Sequence, residues 1–248
     1  MTIRLAILSD LHVEKGPYEP PPFDADLVVL AGDIGWGVEG AAWIAEHVGD
    51  RPAIYVAGNR EYWHHKGGAD PLDELRQATR RLPSLHFLQD DEVVIQGVRV
   101  LGCTLWTDYA LAGDAASAMA QAQAAMPDYR NGRGAAGAML SAAQVLAWNQ
   151  KSVAFVTAAL ARPFAGPTMV VTHHLPSARS LKAPRLDHVP TIASVSGLDD
   201  LITQNGPALW VHGHSHSDCD YRLGLTRIVS RQRGAPENEG YQPLFLEI

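Results

Sequence analysis

Cysteine is nearly missing from this 248-residue chain: Cys103 and Cys219 are its only two, with no C-x-x-C or zinc-ribbon spacing. That count excludes a disulfide scaffold and a thiolate metal site, and both thiols read as buried groups in a reducing compartment. Basic charge is also scarce. Against 27 Asp and Glu stand 20 Lys and Arg, a net charge of -7 at pH 7, which argues against the broad basic surface that gripping a nucleic-acid backbone requires. No apolar run approaches a membrane span. The first apolar segment, Ile3–Leu8, is too short for a secretory signal and lacks a small-residue cleavage site. A cytoplasmic protein is therefore expected, with nucleic acid disfavoured as a partner, no membrane partner, and the oligomeric state open.

Internal repeats, long charge blocks and Pro/Gly/Ser linkers are absent too, so one domain spanning 1–248 is expected. At 46% hydrophobic residues the chain can build a substantial core. Short apolar runs recur at Ile3–Leu8, Leu27–Ala31, Ala53–Ala57, Thr168–Val171 and Ala208–Val211, and read as buried strands. Asp70–Leu82 has the charge order of a helix, acidic first and arginine-rich last. A longer helix is expected from about Ser141 to Arg162, with Ser141 and Gln144 as a capping box, Leu146, Val153, Val156 and Leu160 as its apolar face, and Pro163 as its stop. Gly97 and Gly224 each separate two strand-like runs and predict hairpins, so the sheets should be mixed. Residues 107–140, alanine- and glycine-rich and weakly patterned, read as an insertion or partial lid.

Each expected strand ends in metal-ligand chemistry. Ser9-Asp10-Leu11-His12 follows the first, Gly32-Asp33 the second and Gly58-Asn59 the third; Thr172-His173-His174 and His212-Gly213-His214-Ser215-His216 follow two more. Singly these are weak signals, since a strand-end Asp commonly caps a helix. Together they form a pattern, because the carboxyl ends of strands in open α/β sheets line one crevice. Alternate residues of an extended segment point the same way, so Asp10 with His12, and His214 with His216, are each expected to aim two ligands into one site. Gly213 would let backbones approach closely. Carboxylate and imidazole donors without thiolate suit Mn, Fe, Co, Ni or Zn.

Asp-x-His, Gly-Asp, Gly-Asn-x-Glu, Thr-His-His and Gly-His-x-His, in that order over nearly the whole chain, resemble the successive motifs of the calcineurin-like metallophosphoesterases. The resemblance implies a four-layer α-β-β-α sandwich of two mixed sheets. It implies two transition-metal ions, one held by Asp10, His12, Asp33 and His216, the other by Asp33, Asn59, His173 and His214, with Asp33 bridging. It also implies hydrolysis of a small-molecule phosphate ester, of phosphodiester or pyrophosphate type. Phosphomonoester hydrolysis, or a non-catalytic metal-binding scaffold of the retromer-subunit kind, is the alternative. The stretches around Trp106, His173 and His214 are similar to a bacterial branch of predicted phosphohydrolases.

One position departs from the family. Where most members carry Gly-Asn-His-Glu, this chain has Gly58-Asn59-Arg60-Glu61, and a guanidinium cannot release a proton at neutral pH. Arg60 is read either as a clamp on phosphate or as a partner of Glu61 or another surface carboxylate, and Glu61 as a brace of the motif loop or a surface group. The same variant occurs in lipid A pathway enzymes that cleave UDP-diacylglucosamine, but no strongly hydrophobic acyl-binding insertion is evident here and that substrate is not adopted. His65 is the substitute candidate for the missing acid, and Arg233 before Gly234 resembles a late Arg-Gly of the same bacterial branch, read as facing substrate or as a solvated arginine. Trp106 and Tyr109 read as pocket or core, and His174 is given no role. Arg179, Lys182 and Arg185 form a small basic cluster in an expected loop.

Overall fold

Runs such as Leu27-Val28-Val29-Leu30 are buried at every position, the signature of strands covered on both faces. In the computed structural model, which describes residues 2–63, 69–183 and 185–248, the strands are β1 (Arg4–Leu8), β2 (Leu27–Leu30), β3 (Ala53–Tyr55), β4 (Leu85–Phe87), β5 (Asp91–Ile95), β6 (Val98–Cys103), β7 (Thr168–Thr172), β8 (Leu209–His212), β9 (Cys219–Leu223), β10 (Thr226–Ser230) and β11 (Leu244–Glu247). The helices are α1 (Glu39–His47), α2 (Pro71–Thr79), α3 (Ala115–Ala125), α4 (Asp128–Asn131), α5 (Ala142–Ala161), α6 (Val189–Ile192) and α7 (Asp199–Asn205).

Two mixed sheets result, ordered β11-β1-β2-β3-β4 and β5-β6-β7-β8-β10-β9. Strands β1 to β4 run parallel, with β11 antiparallel at the edge. In the second sheet β6, β7, β8 and β10 run parallel, and the hairpins expected at Gly97 and Gly224 supply antiparallel β5 and β9.

Side-chain alternation along the strands makes the layers. Leu5, Ile7, Val29 and Ile54 face Val100, Val171, Val211 and Val229 in the core between the sheets. Their neighbours Ala6, Leu8, Val28, Leu30 and Tyr55 face outward and pack with Trp43 and Ile44 of α1 and Leu75 of α2. On the other side Leu101, Val170, Trp210 and Ile228 pack with Val156 and Ala159 of α5 and Ile202 of α7. This is the four-layer sandwich expected from the sequence.

Helix ends follow their capping chemistry. The Asp70 side chain accepts from Leu72 N with Pro71 opening α2, and the Ser141 side chain accepts from Gln144 N at the start of α5. The expected apolar face of α5 is corrected in part: Val156 is buried as expected, with Ala142, Val145, Asn149, Ser152 and Ala159, while Leu146, Val153 and Leu160 lie at its margins. Asn149 turns inward because its amide donates to Leu105 O and Ser196 Oγ, partners that composition cannot reveal. Residues 107–140 are better ordered than their weak pattern suggests. Asp114 caps α3, and Ala118, Ala122, Tyr129 and Leu140 join the core. Trp106 and Tyr109 are core residues. Among the described residues no helix is long and apolar enough to cross a membrane.

Leu5→Ala, in the inter-sheet core, is expected to lower unfolding free energy by about 2–5 kcal/mol. Leu225→Ala, at a residue 82% exposed, should change it by no more than about 0.5 kcal/mol. Urea unfolding of the two metal-free variants compares them directly.

Candidate metal centre

Five parallel strands, β1, β2 and β3 of one sheet and β7 and β8 of the other, deliver their following loops to one end of the sandwich. Backbone bonds lock the loops together: Asp10 N donates to Gly32 O, His12 N to Asp33 O, and Gly213 N to His173 O. Two glycines permit this crowding. A Cβ on Gly58 would collide with the Asp33 carboxylate, and one on Gly213 would meet Ser9 Oγ and Asp10 Oδ2.

All seven expected ligands meet here, in two linked groups. In the first, His12 Nε2 lies 3.0 Å from His216 Nε2, His216 Nε2 lies 3.4 Å from Asp10 Oδ1, and His12 Nε2 lies 3.8 Å from Asp33 Oδ2. In the second, His173 Nε2 lies 3.0 Å from Asn59 Oδ1 and 3.2 Å from His214 Nδ1, while His214 Nδ1 lies 3.1 Å from Asn59 Oδ1. Asp33 stands between them, its Oδ1 3.4 Å from His173 Nε2 and its Oδ2 turned to His12.

The route to this convergence differs from the expected one. Asp10, His12, Asp33, His214 and His216 all have positive φ, between 50° and 75°, so neither ligand pair sits on an extended segment. The left-handed region is sparsely used outside glycine, with Asp and His among the more tolerant residues, and such conformations persist where surrounding bonds over-determine them. Here those bonds are the Asp10 and His12 amides to the β2 loop, and Gly234 N to Asp10 O.

The donor chemistry fits divalent cations. His12 Nδ1 is 2.9 Å from Glu14 Oε1, His173 Nδ1 is 2.9 Å from Ala31 O, and His214 Nε2 is 3.0 Å from Ser194 Oγ. Each of these outer contacts holds the proton on one ring nitrogen and leaves the other lone pair facing the cluster. Burial, then the charges of His173 and His216, hold His214 well below the ordinary imidazole range, which gives the neutral form a metal requires. Burial alone would raise Asp10, but the His216 hydrogen bond and the charges of His173 and His12 bring it below the usual carboxylate range.

Glu61 sits beneath the cluster. Its Oε1 accepts from Ile34 N and Tyr55 Oη, its Oε2 from Asp33 N and Gly58 N. Burial and the Asp33 charge pull Glu61 up to about 8 against these donors, yet four donors on two oxygens are satisfied only by the anion. The surface reading of Glu61 is excluded, and with it a surface pairing of Arg60 with Glu61. Arg60 instead lies 3.8 Å over the Trp63 ring, its Nε 3.8 Å from Asp33 Oδ2 and without a hydrogen-bond partner.

Arg233 borders a second cavity beside His216. Its Nη1 donates to Leu11 O and Gly16 O and its Nη2 to Pro17 O, so the guanidinium ties down the loop carrying His12. His65 lies outside the described residues. In the basic cluster, Arg179 is near Asp199 and Arg185 pairs with Asp187.

Two site residues escaped the sequence reading. Asp128 Oδ1 accepts from Asn59 Nδ2 at 2.7 Å and from Trp63 Nε1 at 3.0 Å; it thereby turns Asn59 Oδ1 toward the ligand group. Burial raises Asp128, with the Asn59 bond and the Arg60 charge opposing. The only hint was Met126-Pro127-Asp128-Tyr129-Arg130, the most individual stretch of the insertion. His174 is buried, with its ring 4.1 Å from that of His214 and 5.0 Å from that of Trp106. It packs behind His214, a direction that its place beside His173 in the sequence left open.

No family model matches the sequence, and none of the curated proteins does. Solved structures do match in fold. Phosphopantetheinyl hydrolase (PptH) from Mycobacterium tuberculosis aligns over 98% of this chain and 95% of its own at 18% identity, with a TM-score of 0.72. The protein TT1561 of Thermus thermophilus aligns over 100% and 99% at 14% identity, with a TM-score of 0.54. These likenesses show the fold.

Asp128→Ala should free the Asn59 amide to rotate and weaken metal binding at the Asn59, His173 and His214 group by roughly 10–100-fold, with the Asp10, His12 and His216 group less affected. Chelator competition followed by elemental analysis reads the two affinities; equal loss at both would contradict the hinge assigned to Asp128.

Proposed function

We propose that the chain is a metal-dependent phosphoesterase that hydrolyses a phosphodiester or pyrophosphate-type bond of a small molecule at a dinuclear centre of Mn, Fe, Zn, Co or Ni. The observation that carries this reading is the Asp33 carboxylate, whose two oxygens face different groups of imidazoles. A carboxylate placed so is what two adjacent cations require as a shared ligand. When bound, such a pair acidifies a water and neutralises phosphoryl oxygens in an in-line displacement.

The chain's own residues account for the rest. Asp10, His12, Asp33 and His216 would hold one cation and Asp33, Asn59, His173 and His214 the other. Arg60, stacked on Trp63 with its Nε uncommitted, grips nonbridging oxygens as a catalytic clamp, since a preorganised guanidinium opposes developing charge without reorganising. A cavity of about 360 Å³ extends from Asp33, Asn59 and Arg60 to Met126, Pro127, Leu181 and Pro190. That volume offers the organic part of an ester a partly apolar wall. The segment 107–140, read as an insertion or partial lid, borders this cavity through Met126, Pro127 and Asp128. The resemblance to calcineurin-like metallophosphoesterases and the fold shared with a phosphopantetheinyl hydrolase support the same reading.

Elemental analysis of protein reconstituted with each metal should find close to two ions per chain. Turnover is then measured on a panel of monoesters, diesters and pyrophosphates that includes a phosphopantetheinyl diester. Asp33→Asn is expected to weaken both sites and abolish turnover, Asn59→Ala to empty mainly the second site, and Arg60→Ala to raise KM, lower kcat, or both. Full metal content and full activity in Asp33→Asn would sink the proposal, and wild type inactive with every metal would shift the reading to a non-catalytic scaffold.

A further inference from the structure

The cavity over the ligand groups has a second wall, formed by the chain between β7 and α7. Leu181, His188, Pro190, Thr191 and Ser194 line the cavity together with Asp33 and Arg60. Ser194 joins this wall to the centre through His214 Nε2 at 3.0 Å, and Leu175 N to Ser194 O anchors it to the end of β7. Behind it, α3 packs against α6. His188 immediately precedes α6. Its amide donates to Arg185 O and its carbonyl accepts from Ile192 N. Its Nδ1 lies 3.1 Å from Thr191 Oγ1, which leaves Nε2 as the ring nitrogen available to an occupant of the cavity.

The chemistry of the site needs such a nitrogen. An alkoxide leaving group must be protonated, and Arg60 cannot do it. Among the other cavity side chains, His214 and His216 are committed as ligands, and Asp128 Oδ1 is held by Asn59 and Trp63. Imidazolium, by contrast, releases a proton in the neutral range. Resting on the phosphoesterase reading above, we infer that His188 is a further catalytic residue, the proton donor to the leaving oxygen. As the oxygen of water bonds to phosphorus, the ester P–O bond breaks and its electron pair stays on the leaving oxygen. That oxygen takes the proton from His188 Nε2. The water's surplus proton passes to solvent, and solvent returns one to His188. Arg60 and His188 thus divide between two cavity walls the work that one motif histidine does in most of the resembling family.

The test uses the full-length zinc-loaded protein, with His188→Gln and His65→Gln as variants and a series of diesters running from nitrophenyl to alkyl leaving groups. Removal of a general acid costs typically ~10²–10⁴-fold, and the loss in His188→Gln should fall on alkyl esters far more than on nitrophenyl esters, with zinc content unchanged. Equal losses on both ester types, or the same selectivity appearing in His65→Gln instead, would overturn the assignment. A second readout is independent of turnover. The His188 ring resonance, assigned by its loss in His188→Gln, should shift when phenylphosphonate binds the zinc-loaded wild type; saturation of the other imidazole shifts without movement of His188 would also overturn it. Wild type that hydrolyses none of the series marks a different failure, that of the phosphoesterase reading itself.

Discussion

A single buried carboxylate holds the loops of the site in register. Glu61, 1% exposed, gathers the amides of Asp33, Ile34 and Gly58 and the hydroxyl of Tyr55, so the loops after β2 and β3 share one anchor. An anion in such a place is costly unless every lone pair is met. Here each one is. The same four bonds keep Asp33 in its left-handed conformation and hold Gly58 against the Asp33 carboxylate, a contact no side chain at 58 would allow.

From that anchor the remaining geometry follows. Imidazole nitrogens, the Asn59 amide oxygen and carboxylate oxygens lie 3.0–3.8 Å from one another, a donor set of the kind that suits cations. Glu14, Ala31 and Ser194 turn His12, His173 and His214 so that the unprotonated nitrogen faces inward. The Arg233 guanidinium serves the same end from a distance by clamping the carbonyls of residues 11, 16 and 17.

Around this centre the cavity is assembled from parts far apart in the chain. The α3–α4 segment brings Asp128 to Asn59, and the segment around α6 brings Ser194 to His214. Each attaches to the second ligand group, whose neighbours are thereby set by elements outside the strand-end loops. Arg60 stacks on Trp63, whose indole donates to Asp128, so the proposed phosphate clamp and the Asn59 hinge share one support.

The runs that became strands, the hairpins at Gly97 and Gly224, the cap at Ser141 and the seven side chains that converge at the site were legible in the amino-acid order, and the two-sheet sandwich in the family resemblance. Their causes are local: unbroken apolar runs, turn glycines, capping side chains, and ligand types placed directly after strands. Other features were decided by the tertiary structure. The ligand pairs converge through left-handed turns stabilised by amides from other loops, not through strand alternation. Asn149 faces inward because Leu105 and Ser196 are there to accept its amide. Arg233 turns to backbone carbonyls and Asp128 reaches Asn59 because contacts between residues up to 222 positions apart set which way each side chain points. Local sequence carries the energy of its own turn or strand, whereas a polar side chain's direction depends on which partners the rest of the fold delivers to it.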